Sequence, residues 1–228
     1  MPSALLDEST GGCEMGKYYL LSDFSDETGF SIIADEVKKD LKDTSLIVFI
    51  ASCPWAMEKT DKYAASYIQK FEMINVNFEK IVILDDRTQP DIMMKTIKEA
   101  SLLFFMGGTT DLQMEFLVRY QLTEVIRKLD CVIMGLSAGA INMAQTSILT
   151  MNCGHDKQQI YEGLGIVDVS VEPHFDPSNF SNELKQISLS HQIYAICDES
   201  AIIIRDGERI LLGEVYLLDD GLCQRIYK

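Results

Sequence analysis

The most constraining feature of this chain is a series of short, fully apolar runs spaced by amphipathic stretches. The runs are YYLLS at 18–22, LIVFIA at 46–51, IVIL within 78–84, LLFFM at 102–106 and CVIMG at 131–135. Between them, residues 26–41, 56–71, 91–99 and 110–128 carry apolar residues at helical spacing; Phe30, Ile33, Val37 and Leu41 are one such set. A strand that is apolar on both faces must be covered on both faces, and only helical crossovers supply that cover. With right-handed crossovers the pattern predicts an α/β fold of three layers (αβα), doubly wound about a mostly parallel sheet.

The last third of the chain changes character. Residues 181–190 can form one helix. Short strands follow at 194–197, 201–205, 209–212 and 215–218, and Asp206-Gly207 and Asp220-Gly221 are hairpin-turn pairs. Antiparallel strands are therefore expected at the end of the sheet. Residues 144–172 show little periodicity and read as a long functional loop. With 228 residues and no linker, the chain reads as one domain over 17–228. Residues 1–16 read as a poorly ordered or non-native extension, with Met15 as an alternative start.

Composition narrows the function classes. There are 20 basic and 35 acidic residues, a formal net charge of -15. Such a surface repels nucleic-acid phosphates and anionic lipid, so neither nucleic acid nor a membrane is an expected partner. The six cysteines form no CxxC pair, which leaves no zinc-ribbon signature and no expected metal. No apolar run approaches the roughly 18 residues of a membrane span. Residues 1–16 lack the basic start of a secretory signal. A reducing cytoplasm is the expected setting, and a homodimer is left open.

The chemistry-bearing motif is Gly135-Leu136-Ser137-Ala138-Gly139. It follows the apolar CVIM run and precedes a helix-capable AINMAQ, which is the strand, sharp turn and helix of a nucleophile elbow. A serine nucleophile needs a base. Of the three histidines, His191 lies in an amphipathic run and His155 in the polar loop. His174 lies in VEPHFDP, stiffened by a proline on each side, and is the preferred base. The Gly107-Gly108 pair ends the strand before the elbow strand. Its bare N–H groups, with that of Ala138, would form an oxyanion hole. The plainer reading, a turn ahead of a helix capped by Thr109 or Thr110, is compatible with it.

Together, GLSAG, the upstream GG-ended strand and the downstream PHF resemble the peptidase E and cyanophycinase family of serine peptidases. The spacing of 37 residues from Ser137 to His174 matches the peptidase E branch, and the resemblance runs over about 17–228. It implies a fold akin to class I glutamine amidotransferases, with serine replacing their cysteine. It also implies Ser137 as nucleophile, His174 as base, Gly108 and Ala138 as oxyanion donors, Gly107 and Thr109 beside the substrate, and no cofactor. Family activities are cleavage after an acidic residue in small peptides and hydrolysis of aspartyl-arginine polymers.

Two departures stand out. Thr109 replaces the asparagine that often follows the GG pair. A family acid about fifteen residues past the serine falls on Asn152, which carries no charge. The orienting acid is then expected at Glu199 in CDES, with Asp156 and Glu172 as alternatives. Between residues 175 and 204 Lys185 is the only cation apart from the histidine, so recognition of acidic substrates lacks an evident arginine. The expected function is a serine peptidase cleaving small peptides, as a dipeptidase or related exopeptidase. A catalytically silent relative that binds a small molecule or a partner is the alternative, motivated by Asn152. An amidotransferase-like enzyme that lost its cysteine is a third.

Overall fold

A computed structural model describes residues 16–153 and 156–227. The expectations for residues 1–15 and for His155 lie outside the described residues. The first half follows the predicted alternation: β1 (Lys17–Leu21), α1 (Ala34–Asp40), β2 (Leu46–Ile50), α2 (Met57–Met73), β3 (Lys80–Leu84), α3 (Pro90–Lys98) and β4 (Leu102–Phe105). Then come α4 (Thr110–Arg119), α5 (Thr123–Ile126), β5 (Val132–Leu136) and α6 (Ala138–Met143). The remainder comprises β6 (Thr146–Leu149), β7 (Gln159–Glu162), β8 (Ser170–Glu172), α7 (Asn182–Ser188), β9 (Ile193–Ile196), β10 (Ala201–Arg205), β11 (Glu208–Leu212), β12 (Val215–Asp219) and β13 (Leu222–Ile226).

The main sheet has the order β11-β10-β1-β5-β4-β2-β3. Its five N-terminal strands are mutually parallel, and β10 and β11 add antiparallel at one end. Alternate residues of each strand feed two cores. Leu20, Val48, Ile50, Leu103, Phe105 and Ile133 face the layer of α3 to α6. Tyr19, Leu21, Ile47, Phe49, Phe104 and Met134 face α1 and α2. This is the three-layer, doubly wound arrangement that the continuous apolar strands require.

The structure departs from the expected elements at four places. The expected helix over 26–41 becomes regular only at Ala34, because residues 25–28 are held in a turn. The Lys70 ammonium reaches into it, binding Ser25 O at 3.0 Å and the Asp26 carboxylate. The helix over 110–128 breaks after Arg119, where Gln121 takes φ 54° and Leu122 N–H bonds back to Leu117 O at 2.9 Å, burying Leu122 completely. The aperiodic 144–172 stretch contains the β6–β7 hairpin and β8. Lastly, β12 leaves the main sheet for a second one of order β13-β12-β9-β8, in which the largely exposed β13 is an edge strand. Among the described residues no helix is long and apolar enough to cross a membrane.

Candidate active site

The carboxyl ends of the parallel strands converge, as expected for a doubly wound sheet. Ser22 and Asp23 follow β1, Ser52 follows β2, Gly107 and Gly108 follow β4, and Ser137 follows β5. Ser137 has φ 51° and ψ -108°, a conformation that costs a non-glycine residue energy. Its N–H is tied to Leu21 O at 2.8 Å, and its carbonyl starts α6 by accepting Ile141 N–H. Gly139 explains the small residues: a Cβ there would run into the Phe105 backbone. Close packing of α6 on β4 thus holds the elbow in its strained form.

The second sheet supplies the imidazole and its partner. In β8 and β9, which are parallel neighbours, Glu172 is in register with Ala195. His174 and Asp198 therefore emerge side by side just past the two strand ends, and Phe175 N–H bonds to Ile196 O at 3.1 Å to hold them together. His174 Nε2 lies 2.7 Å from Ser137 Oγ, and His174 Nδ1 lies 2.9 Å from Asp198 Oδ1. Ser137, His174 and an acid are thus in one hydrogen-bonded line, and the acid is Asp198.

The expected orienting acid, Glu199, is elsewhere. It takes φ 59°, gives its N–H to Asp23 O at 2.8 Å, and turns its carboxylate onto Ser25 N–H at 2.8 Å and Thr28 Oγ1 at 2.5 Å. Burial pushes its pKa up, but the bonds from Thr28 and Ser25 outweigh this and leave it below the ordinary value. Glu199 is the anchor of the 25–28 turn. The two alternatives do not face the imidazole either. Asp156 is an exposed loop residue. Glu172 is buried, with Oε1 accepting from Thr150 Oγ1 at 2.7 Å. Asn152 sits on the exposed turn Met151–Cys153. A neutral residue there does not leave the imidazole without a carboxylate, so the motive for a silent relative falls away.

Gly107, Gly108, Thr109, Ser137 and His174 line one cleft. Gly108 has φ +136°, a region that side chains avoid. Its N–H has no acceptor among the described residues, and Ala138 N–H opens α6, where intrahelical acceptors are lacking. Thr109 precedes α4 but makes no side-chain cap bond, so its hydroxyl is not spent on the helix.

The opposite wall was not legible in sequence. Asp23, Ser52, Cys53, Lys59, Thr60, Tyr63 and Tyr67 line it, with Met106 and Leu136 beside the glycine loop and the elbow. The cation is Lys59 of α2, whose ammonium sits 5.8 Å from the centre of the Tyr63 ring. Lys185 of α7 instead lies over the Phe180 ring and does not line the cleft. Ser22, Ser52 and Asp198 were also missed. Their one signal is a small polar residue directly after each apolar run, in LLSD, FIAS and AICD.

A buried polar chain joins the elbow helix to the glycine loop. Tyr161 Oη donates to Asn142 Oδ1 at 2.8 Å, and Asn142 Nδ2 donates to Thr110 O at 2.8 Å and Gln113 Oε1 at 3.1 Å. Gln113 Nε2 then donates to Ile50 O at 3.2 Å and Met106 O at 3.1 Å, at the ends of β2 and β4.

Comparison with known proteins identifies the family and the fold. The model of peptidase family S51 matches residues 19–212. No curated protein matches the sequence. Among solved structures, a peptidase from an acI-B1 Actinobacterium superimposes with a TM-score of 0.67 at 20% identity, over 93% of this chain and 94% of that one. A candidate peptidase E from Listeria monocytogenes EGD-e superimposes with a TM-score of 0.64 at 20% identity, over 86% of this chain and 98% of that one. At that identity the two structures speak for the fold.

Proposed function

The chain belongs to peptidase family S51, a family of serine-type peptidases, and from that membership we propose that it cleaves an amide bond of a small peptide through Ser137, His174 and Asp198. The observation that carries this reading is the unbroken line from Ser137 Oγ to His174 Nε2 at 2.7 Å and from His174 Nδ1 to Asp198 Oδ1 at 2.9 Å. In the proposed reaction Ser137 Oγ attacks the scissile carbonyl while its proton passes to His174 Nε2. Asp198 holds the ring so that Nε2 faces the serine. The N–H groups of Gly108 and Ala138 receive the developing oxyanion. Collapse breaks the C–N bond, His174 returns the proton to the leaving amine, and water then releases the acyl group by the same route.

The cleft also supports a substrate class. It presents one ammonium, Lys59, and one carboxylate, Asp23, beside the tyrosines 63 and 67. A short peptide carries both complementary charges, so a dipeptidase or related exopeptidase is the fitting type. A fluorophosphonate probe tests the nucleophile. Labelling of the wild type that is absent in Ser137→Ala supports it, and labelling that survives the substitution refutes it. A dipeptide and isoaspartyl-peptide screen of the same two proteins then reads the substrate.

A further inference from the structure

Ser52 makes no hydrogen bond to Ser137 or His174, yet it holds one of the two peptides that supply the proposed oxyanion donors. It follows β2 in the strand next to β4, and it is only 7% exposed. Its Oγ donates to the carbonyl of Gly107 at 2.6 Å. In a planar trans peptide the carbonyl and the following N–H point in opposite directions. Fixing Gly107 O against Ser52 therefore fixes the direction of Gly108 N–H. The rest of the loop is held separately, with Met106 O on Gln113 Nε2 at 3.1 Å and Thr109 O on Gln113 N–H at 3.2 Å. Between these anchors the peptide joining two glycines meets little steric resistance to flipping.

Gly108 and Ser52 are also fitted to each other. A Cβ at position 108 would collide with Ser52 Oγ. The close approach that excludes a side chain at 108 is the same approach that lets Ser52 reach Gly107 O.

We propose that Ser52 is a positioning residue which keeps the Gly107–Gly108 peptide turned so that Gly108 N–H serves as an oxyanion donor to the intermediate formed at Ser137. This rests on the serine-hydrolase reading above. Losing an oxyanion donor outright costs about 10²–10³ in rate. Ser52 acts through one hydrogen bond on a two-state peptide, so its loss costs about three- to tenfold.

The test compares the second-order rate of fluorophosphonate labelling in wild type, Ser52→Ala, Ser52→Thr and Ser137→Ala. In that reaction Ser137 Oγ bonds to phosphorus, fluoride leaves, the proton goes to His174, and the phosphoryl oxygen occupies the oxyanion position. Ser52→Ala is expected to label about three- to tenfold more slowly, with the pH midpoint of labelling unchanged because Ser52 makes no hydrogen bond to His174. Ser52→Thr keeps the hydroxyl and restores the rate. Wild type that is not labelled at Ser137 overturns the hydrolase reading, and this proposal with it. Labelling at Ser137 that is as fast in Ser52→Ala as in wild type overturns the proposal alone. So does a loss that shifts the pH midpoint or that Ser52→Thr fails to restore.

Discussion

The Ser22 hydroxyl donates to Asp198 Oδ1 at 2.9 Å, the same carboxylate oxygen that faces His174 Nδ1. It also accepts the backbone N–H of His174 at 2.8 Å. One buried hydroxyl thus fixes acid and base relative to each other, and it does so for a histidine held at φ 55°. Ser22→Ala leaves the His174 N–H without an acceptor and frees Asp198 to turn to solvent. Hydrolysis is expected to fall about tenfold, in line with one lost charge-assisted bond. Steady-state kinetics should show the loss in kcat, with Ser22→Thr recovering much of it.

Asp198 and Glu199 are adjacent, yet they are expected to behave oppositely. Asp198→Asn removes the charge beside His174 and permits the wrong tautomer. The Asp198 side chain is 59% exposed, so water screens its charge more than in a buried triad. The expected loss in kcat is about 10–10³, below the ~10⁴ of a buried acid. Glu199→Gln weakens the 25–28 turn and should lower the melting temperature while leaving kcat within about threefold, since its carboxylate is hydrogen-bonded to Ser25 and Thr28 and not to His174. Equal kinetic losses in both variants would refute the assignment of Asp198.

Glu172 makes stability depend on pH. Among the described residues its Oε2 has no hydrogen-bond partner, although the Cys153 thiol and the Asn152 amide lie beside it. Burial, opposed by Thr150 and reinforced by the charge of Glu183, raises its pKa from 4.5 to about 7. The folded chain therefore keeps a proton that the unfolded chain releases. Native stability from this group is highest below pH 4.5, falls as pH rises to about 7, and stays low above it. Glu172→Gln should be more stable than wild type by about 1–3 kcal/mol at pH 8, with the gap narrowing toward pH 5. Urea unfolding at the two pH values checks this, and a pH-independent gap would contradict it.

The Tyr161–Asn142–Gln113 chain ties the elbow helix to the strand ends under the oxyanion loop. Gln113→Ala strands Met106 O and one N–H of the Asn142 amide in a fully buried site, and leaves Ile50 O with the Met106 N–H alone. The expected cost is about 2–4 kcal/mol, seen as a melting temperature lower by roughly 5–15 °C. Calorimetry reads it directly, and a loss below 0.5 kcal/mol, about the scatter of a surface substitution, would show the chain to be dispensable.

Much of this protein was legible one residue at a time. Runs such as LIVFIA and LLFFM had to be covered on both faces, so the parallel sheet, its two cores and the convergence of strand ends followed from sequence. GLSAG set between strand and helix marked Ser137, and the stiff PHF segment marked His174, because both signals are local. The acid was different. Asp198 and Glu199 are neighbours of similar chemistry, and only the backbone turn at Glu199 and the register of β8 against β9 decide which one meets the imidazole. Lys59, Ser22 and Ser52 lie 78 or more residues from Ser137 in the chain, and no periodicity links them to it. The local sequence determined the sheet, the elbow and the candidate base. The tertiary structure alone decided which carboxylate meets the imidazole, the cleft charges and the supports, because strand order and register, not spacing along the chain, set which side chains meet.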